Sequence, residues 1–451
     1  MPKITIVGAG GYVFPFRLIG DLLSFPALRD SVLTLMDIDA QRLERTASAT
    51  RALVAHHGFP TTVESTTDRR AALTDADYVI ITFQVGGIDA FREDVEIPRR
   101  YGLDQTVGDT LGPGGVFRFL RSVVAYREIA ADLAEVAPDA QVINYANPMA
   151  MATWYLNALG ARTVGLCHSV QGTSRMLARE LDVPYDDVQF RAGGINHQSW
   201  FVEFRRGDED LYPRLREVMT GRHLHGPGRA GLAADHGDHS GSERDASVYE
   251  GGNERVRTAI MDAFGYFHTE SSHHASEYLP YFRKSPELVR EFIPERWDYY
   301  EICQAHDEDG QIARMLDEFK RELAPSVEYG AAIVNSMETG QRSVIYGNVP
   351  NTGIISNLPE GCCVEIACLV DGNGVQPTVF GALPPQCAAI NRTGVNVQEL
   401  AVTAALTGRR EHVYHAVMAD PLTGALLTLD QIRAMVDELF LAHKAYLPDD
   451  L

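Results

Sequence analysis

Through roughly the first two hundred residues, short apolar runs alternate with stretches of helical periodicity. Lys3–Val7, Ser31–Met36, Tyr78–Phe83, Gln141–Asn144 and Arg162–Leu166 are short and mostly apolar, the pattern of strands buried on both faces. Between them lie an apolar-rich helix reaching Phe25, a helix from about Ala40 to His56 and a β-rich stretch near Thr61–Ser65. This alternation predicts a Rossmann-like, doubly wound parallel sheet, an α/β fold with helices on both faces. After His197 the pattern changes. Ser199–Phe204 alternates as a half-buried strand, and Gly221–Gly252 is polar, rich in Gly and His, and reads as a loop or lid. Helical segments interrupted by Pro280 and Pro286 fill Glu254–Met337, strand-like runs follow at Ser343–Tyr346 and Cys363–Leu369, and the C-terminus is helical again. These features predict a mixed α+β catalytic lobe. The expected division is residues 1–196 and 197–451, the second part also serving oligomerisation.

Composition narrows the partners. The 451 residues carry 40 Lys plus Arg against 61 Asp plus Glu, a net charge of −21. That acidity argues against nucleic acid or an anionic membrane, both of which need basic surface. No apolar run is long enough to span a bilayer. Met1–Gly8 enters a strand directly, without a leader's apolar core. Cysteines at 167, 303, 362, 363, 368 and 387 are too sparse for a disulfide framework. A cytoplasmic protein with reduced thiols is expected.

The turn after the first strand, Gly8-Ala9-Gly10-Gly11, holds the first two glycines of a dinucleotide fingerprint, though Val13 stands where the third would be. Asp37 closes the second strand, where an acid would accept ribose hydroxyls and favour NAD over NADP. Further along, Cys167 and His197 fall at expected strand ends, where open α/β sheets gather ligands. Thiolate and imidazole both bind metals, and a site with two protein ligands leaves positions for substrate oxygens. Taken singly, each is more often a buried structural residue than a ligand. Asp109 lies in a Gly- and Pro-rich loop, Val107–Val116, as either a general acid or a turn residue. Asn147-Pro148 makes another strand-end turn. Tyr266 sits among the aromatic and titratable residues of Phe264–His274. A tyrosine's ordinary pKa of about 10 makes it a poor base unless a cation is near. Arg283-Lys284 could meet substrate oxygens, and Asp235–His239 has metal-like composition in an exposed Gly-rich setting.

With these residues assembled, the chain resembles glycoside hydrolase family 4, the NAD- and manganese-dependent glycosidases, over nearly its full length. The resemblance rests on the Gly8–Gly11 turn, Asp109–Gly115, Asn147-Pro148, Cys167-His168-Ser169-Val170, Asn196-His197 and the Tyr266 region. Within the family, residues after the cysteine track substrate class. Cys167-His168-Ser169-Val170 looks like the α-galactosidase group, whereas 6-phosphoglucosidases carry Cys-Asp or Cys-Asn there. The resemblance implies that Cys167 and His197 hold Mn²⁺, that Gly8, Gly10, Gly11, Asp37 and Gln84 bind NAD⁺, and that Asn147, Arg92 and Arg283 contact the sugar. It implies Tyr266 as base, Asp109 as preferred acid and His168 as the reserve, because His168 stands where some relatives keep an aspartate. The implied route is oxidation at C3, elimination, water addition and reduction, with net hydrolysis of an α-galactoside. α-Galacturonides, α-glucuronides and α-glucosides remain alternatives, as do a plain NAD-dependent dehydrogenase and a non-catalytic NAD sensor. A homodimer or homotetramer is expected from the family.

Overall fold

The apolar runs of the first half become strands because both of their faces find a helix layer to bury against. The computed structural model describes residues 1–11, 13–224, 254–294, 296–304 and 308–451. Most of the stretch expected as a lid, including Asp235–His239, lies outside the described residues. Its start, 221–224, belongs to a π-helical turn, Thr220–Leu224.

The strands in chain order are β1 (Lys3–Val7), β2 (Val32–Met36), β3 (Thr62–Thr66), β4 (Tyr78–Ile81), β5 (Gln141–Asn144), β6 (Thr163–Gly165), β7 (Val188–Ile195), β8 (Gln198–Arg206), β9 (Glu209–Asp210), β10 (Phe267–His268), β11 (Ser343–Pro350), β12 (Cys363–Asp371) and β13 (Gly374–Pro377). Among the described residues they form one 13-stranded sheet, ordered β10-β8-β7-β12-β11-β6-β5-β4-β1-β2-β3, with β13 beside β12 and β9 beside β8. β3 through β6 pair in parallel. From β6 onward every pairing is antiparallel. The Rossmann-like fold expected from the sequence is present. The expected boundary at 196/197 falls in the turn between β7 and β8, whose residues pair from Val188↔Arg206 to Ile195↔Gln198. One sheet runs across the two regions, because the edge of β6 is filled by β11.

Side chains alternate between two cores. Ile4, Ile6, Leu33, Leu35, Tyr78 and Ile80 pack on one face, while Val7, Met36, Val79, Ile81 and Val142 pack on the other. Each fully buried Leu or Ile contributes about 1.5–3 kcal/mol, so this doubly covered sheet is the rigid base of the molecule. Helix ends follow local chemistry. The helix Ala40–His57 starts at Asp39, whose carboxylate accepts from Gln41 N and Arg42 N, and stops at Gly58 with φ 64°. Pro286, expected to interrupt helical structure, instead opens the helix Pro286–Phe292 behind the cap Ser285, since a first-turn proline loses no helical hydrogen bond.

The parallel register positions the chemistry. Met36, Val7, Ile81, Asn144 and Gly165 are successive cross-strand partners. Asp37, the Gly8–Gly11 turn, Gln84, Asn147 and Cys167 therefore emerge in sequence from the same carboxyl edge of the sheet, across the switch point between β1 and β4.

Candidate active site

At this edge the glycine turn is drawn tight by the strands beside it. Gly8 N and Ala9 N donate to Met36 O, and Gly10 N donates to Asp37 Oδ2 at 2.9 Å. Gly8 has φ +94°, and a Cβ there would lie 2.7 Å from Phe83 N; one at Gly10 would lie 2.8 Å from Asp37 Cγ. Only glycine lets β1, β2 and β4 converge on this turn, which opens the helix Val13–Ser24. Ile38, next to Asp37, is 90% exposed, an apolar side chain beside the turn rather than in a core. Gln84 ties the neighbouring loop down, donating to Gly87 O at 3.0 Å and accepting from Arg118 Nη2 at 2.8 Å.

The second part of the site assembles where the antiparallel strands meet β6. Cys167 follows β6 and precedes the helix Ser169–Glu180. His197 occupies the β7–β8 turn with φ 60°. Glu270 follows β10, immediately before the helix Ser272–Tyr278. One ligand atom from each of Cys167, His197 and Glu270 lies within 4.8 Å of the others, and all three residues are buried. Glu270 was not foreseen from the sequence, although the Phe264–His274 string that contains it was singled out. Its Oε2 is buried without a hydrogen-bond partner, 3.5 Å from His197 Nε2. Burial by itself would raise the Glu270 carboxyl, but His274, His197 and the Ser271 N–H outweigh it and hold it at about 2. Burial pushes the Cys167 thiol up to about 12. A thiol that resists ionisation, an imidazole and an unpartnered carboxylate oxygen, converging in a buried space, are a donor set that a divalent cation would satisfy.

A loop from 105 to 110 closes the other wall. The Glu277 carboxylate accepts from Thr106 N at 2.6 Å, Val107 N at 2.8 Å and Gly108 N at 3.0 Å, so one side chain fixes three successive peptides. The helix Gly112–Val136 begins close against this loop: a Cβ on Gly114 would lie 2.5 Å from Gly108 O. Asp109 is thereby buried, with Asn147 Nδ2 donating to its Oδ2 at 3.3 Å. Thr110 Oγ1 hydrogen-bonds the Tyr278 hydroxyl, which sits 3.2 Å from His197 Nδ1. His168, the N-cap of the Ser169–Glu180 helix, places Nδ1 2.6 Å from Glu328 Oε1. Burial would lower the imidazole's pKa, but the Glu328 carboxylate dominates and pushes it up to about 10.

Asp109, Asn147, His168, Cys167 and His197 are thus brought to one edge with the glycine turn, Asp37 and Gln84. Three expected residues are not. Tyr266 lines a separate cavity of about 530 Å³ with Glu203, Tyr212 and Gln386, because it precedes β10 while the cluster lies beyond that strand's other end. Tyr278, absent from the sequence-based expectation, is the tyrosine beside His197. Arg92 projects from the outer face of the helix Gly87–Arg100, half exposed, 3.7 Å from Asp89 and 3.6 Å from Glu93. Arg283 is buried but fully engaged with Ser276 Oγ at 2.7 Å, Asp104 O at 3.0 Å and Thr106 Oγ1 at 2.8 Å. It braces the 104–106 loop. Helical phase and local pairing decide these positions, and neither is written in residue type.

A glycine turn of the dinucleotide-fingerprint type and a buried thiol–imidazole–carboxylate cluster share one sheet edge, and comparison with known proteins gives the family. The family model "Family 4 glycosyl hydrolase" matches residues 3–183, and "Family 4 glycosyl hydrolase C-terminal domain" matches residues 192–423. The chain belongs to glycosyl hydrolase family 4. It is 38% identical to an α-galactosidase of Bacillus subtilis (strain 168), covering 100% of both chains. It is 36% identical to an α-galactosidase of Rhizobium meliloti (strain 1021), covering 99% of this chain and 89% of the relative. The fold is also similar to the crystal structure of a 6-phospho-α-glucosidase from gut microorganisms in complex with NAD and Mn²⁺, at 20% identity and TM-score 0.77, covering 99% of each chain.

Proposed function

We propose that this glycosyl hydrolase cleaves α-galactosides with NAD⁺ and Mn²⁺ as resident cofactors. The observation that carries the reading is the buried convergence of Cys167, His197 and Glu270 on the sheet edge that also bears the Gly8–Gly11 turn and Asp37. Full-length likeness to two α-galactosidases and the Cys167-His168-Ser169-Val170 sequence favour the galactosyl group. The glycine turn and Asp37 would seat the dinucleotide, and Cys167, His197 and Glu270 would hold the metal. When bound, these cofactors supply reversible hydride transfer and Lewis acidity next to the sugar's C2.

The chain's own residues supply the proton handling. Tyr278, whose hydroxyl lies beside His197, would take the C2 proton; burial, with the Asp109, Glu270 and Glu277 carboxylates nearby, holds its pKa well above the usual tyrosine value, so a nearby cation is needed to make it a base. His168 keeps its proton through neutral pH because Glu328 stabilises the imidazolium. With Nδ1 committed to Glu328, the proton delivered to the leaving-group oxygen is the one on Nε2. Asn147 orients the sugar from the β5 turn and steadies Asp109. Burial of the cluster keeps bulk water away from it.

The test is a panel of nitrophenyl glycosides assayed with NAD⁺ and Mn²⁺ under reducing conditions. α-Galactoside hydrolysis without net NADH is expected. One NADH released per turnover, with no free galactose, would instead identify a dehydrogenase.

A further inference from the structure

Arg118 is an arginine whose charge is met but whose hydrogen bonds are met only in part. It projects from the helix Gly112–Val136, its side chain 10% exposed, with its guanidinium carbon 5.0 Å from the centre of the Phe91 ring. Nη2 donates to Gln84 Oε1 at 2.8 Å. Nε and Nη1 are buried with no hydrogen-bond partner. Asp109 supplies the countercharge, but its Oδ2 stays 3.9 Å from Arg118 Nη1, too far for a hydrogen bond. Asp109 Oδ1 is likewise buried and unpartnered. Two nitrogens and one oxygen of this pair are therefore left unpartnered, beside Asn147 and the loop that carries Gln84.

We infer that Arg118 and Asp109 together form the subsite that reads a sugar hydroxyl away from the reacting C2–C3 edge; where that hydroxyl is the one on C6, the pair also selects neutral galactosides over uronides, whose C6 is a carboxylate. This rests on the α-galactosidase reading. A hydroxyl is the group that both accepts and donates, so it satisfies an arginine N–H and a carboxylate oxygen at once. A uronate carboxylate can only accept. It would meet Arg118 with Asp109 already alongside, adding a second negative charge where one is already balanced. Gln84 fixes the guanidinium from the cofactor loop, which couples hydroxyl recognition to the seat proposed for the nucleotide.

The test compares wild type, Arg118→Lys and Arg118→Met, as the full chain loaded with NAD⁺ and Mn²⁺. Substrates are nitrophenyl α-galactoside, its 4-deoxy and 6-deoxy analogues and nitrophenyl α-galacturonide, with the thermal midpoint and NAD⁺ affinity as controls of integrity. In wild type, one of the two deoxy analogues is expected to lose about 100-fold in kcat/KM. In Arg118→Met, the parent should fall by about that factor while the same deoxy analogue costs less than about threefold more, with Arg118→Lys intermediate. Equal deoxy penalties in wild type and variant would overturn the inference. So would preferred galacturonide turnover that Arg118→Met abolishes, which would make Arg118 a carboxylate reader. A drop in NAD⁺ affinity that matches the activity loss, without deoxy coupling, would assign the pair to the cofactor's carboxamide and also overturn it. If wild type hydrolyses no α-galactoside, the functional reading fails by itself. Calorimetric binding of galactose, 4-deoxygalactose, 6-deoxygalactose and galacturonic acid to the loaded proteins then decides the Arg118 question: coupling of one hydroxyl to Arg118 supports it, and its absence overturns it.

Discussion

The two halves of the single sheet are built on opposite principles. β1, β2 and β4–β6 are parallel strands buried in apolar helix layers, and their buried positions are mostly apolar, with Thr5, Thr34, Gln141, Asn144 and Thr163 set among them. The antiparallel half buries polar side chains. Ser199 Oγ donates to Glu365 Oε2 at 2.7 Å, Asn348 Nδ2 approaches Glu365 Oε1 at 3.4 Å, and Asn391 Nδ2 reaches Gln198 O. Burial pushes the Glu365 carboxyl up to about 6, eased by Ser199 and His197. The first half fixes where loops emerge, and the second decides which side chains meet them. A rigid apolar frame can be altered at the cost of stability alone, whereas a buried polar network makes stability and chemistry inseparable.

The largest effect expected from this contrast is at the seam. Cys167→Ser should lower activity by about 10³-fold or more and remove bound Mn²⁺, while NAD⁺ affinity stays within a few fold; loss of a supporting group alone costs about 10–100-fold. Metal analysis beside kinetics checks this, and full turnover without the thiolate would break the assignment. Glu277→Gln comes next. It keeps the shape but weakens the three peptide N–H contacts at 106–108, so activity should fall about 10–100-fold with the fold retained. Unchanged kinetics would mean that the loop holds Asp109 and Thr110 without it.

Ile80→Ala, in the fully buried β4, probes the frame instead. It should cost about 2–5 kcal/mol of stability yet leave the KM of the surviving folded enzyme unchanged. A large KM shift with little destabilisation would contradict the division of labour. The smallest effect concerns Asp21, a polar link between the halves. Its carboxylate accepts from Ser326 N at 2.8 Å and Ser326 Oγ at 2.7 Å, and burial raises its pKa from 3.8 to about 7, against the lowering pull of Ser326. The folded state therefore holds this proton over a range where the unfolded chain has released it. Stability from this group is complete below the unfolded value and falls as pH rises toward the folded one, by up to about 1.4 kcal/mol per pH unit. Asp21→Asn should flatten that slope in denaturant titrations, and an unaltered slope would place the proton elsewhere.

Much of the parallel half could be read along the chain, because a strand buried on both faces announces itself as a short apolar run and its turn must carry glycine where backbones converge. Gln141–Asn144 appears as expected, and Lys3–Val7 likewise. Cys167 and His197 were legible as metal-capable residues at strand ends, though nothing in their spacing joined them. Glu270 and Tyr278 were not legible as partners. They lie in a segment rich in acids, histidines and aromatics, and residue type alone could not say which of its side chains turn inward. Tyr266 is the base that the family resemblance implies, but two residues of strand and a helical turn carry Tyr278 to His197 instead. Arg283 likewise reads as a free cation until the 104–106 loop is seen wrapped around it.

The sequence by itself determined the strand-helix alternation, the glycine turn with its acid, and the presence of thiolate- and imidazole-forming residues at strand ends, since each follows from local periodicity and backbone conformation. Only the tertiary structure decided that β11 would fill the open edge of β6, bringing the antiparallel strands into the same sheet. It alone decided that Glu270 would complete the cluster and that Arg118 would be buried beside Asp109 with two of its nitrogens unpartnered. Those outcomes depend on register and packing between segments far apart in the chain, where the energy lies in contacts that no stretch of sequence holds alone.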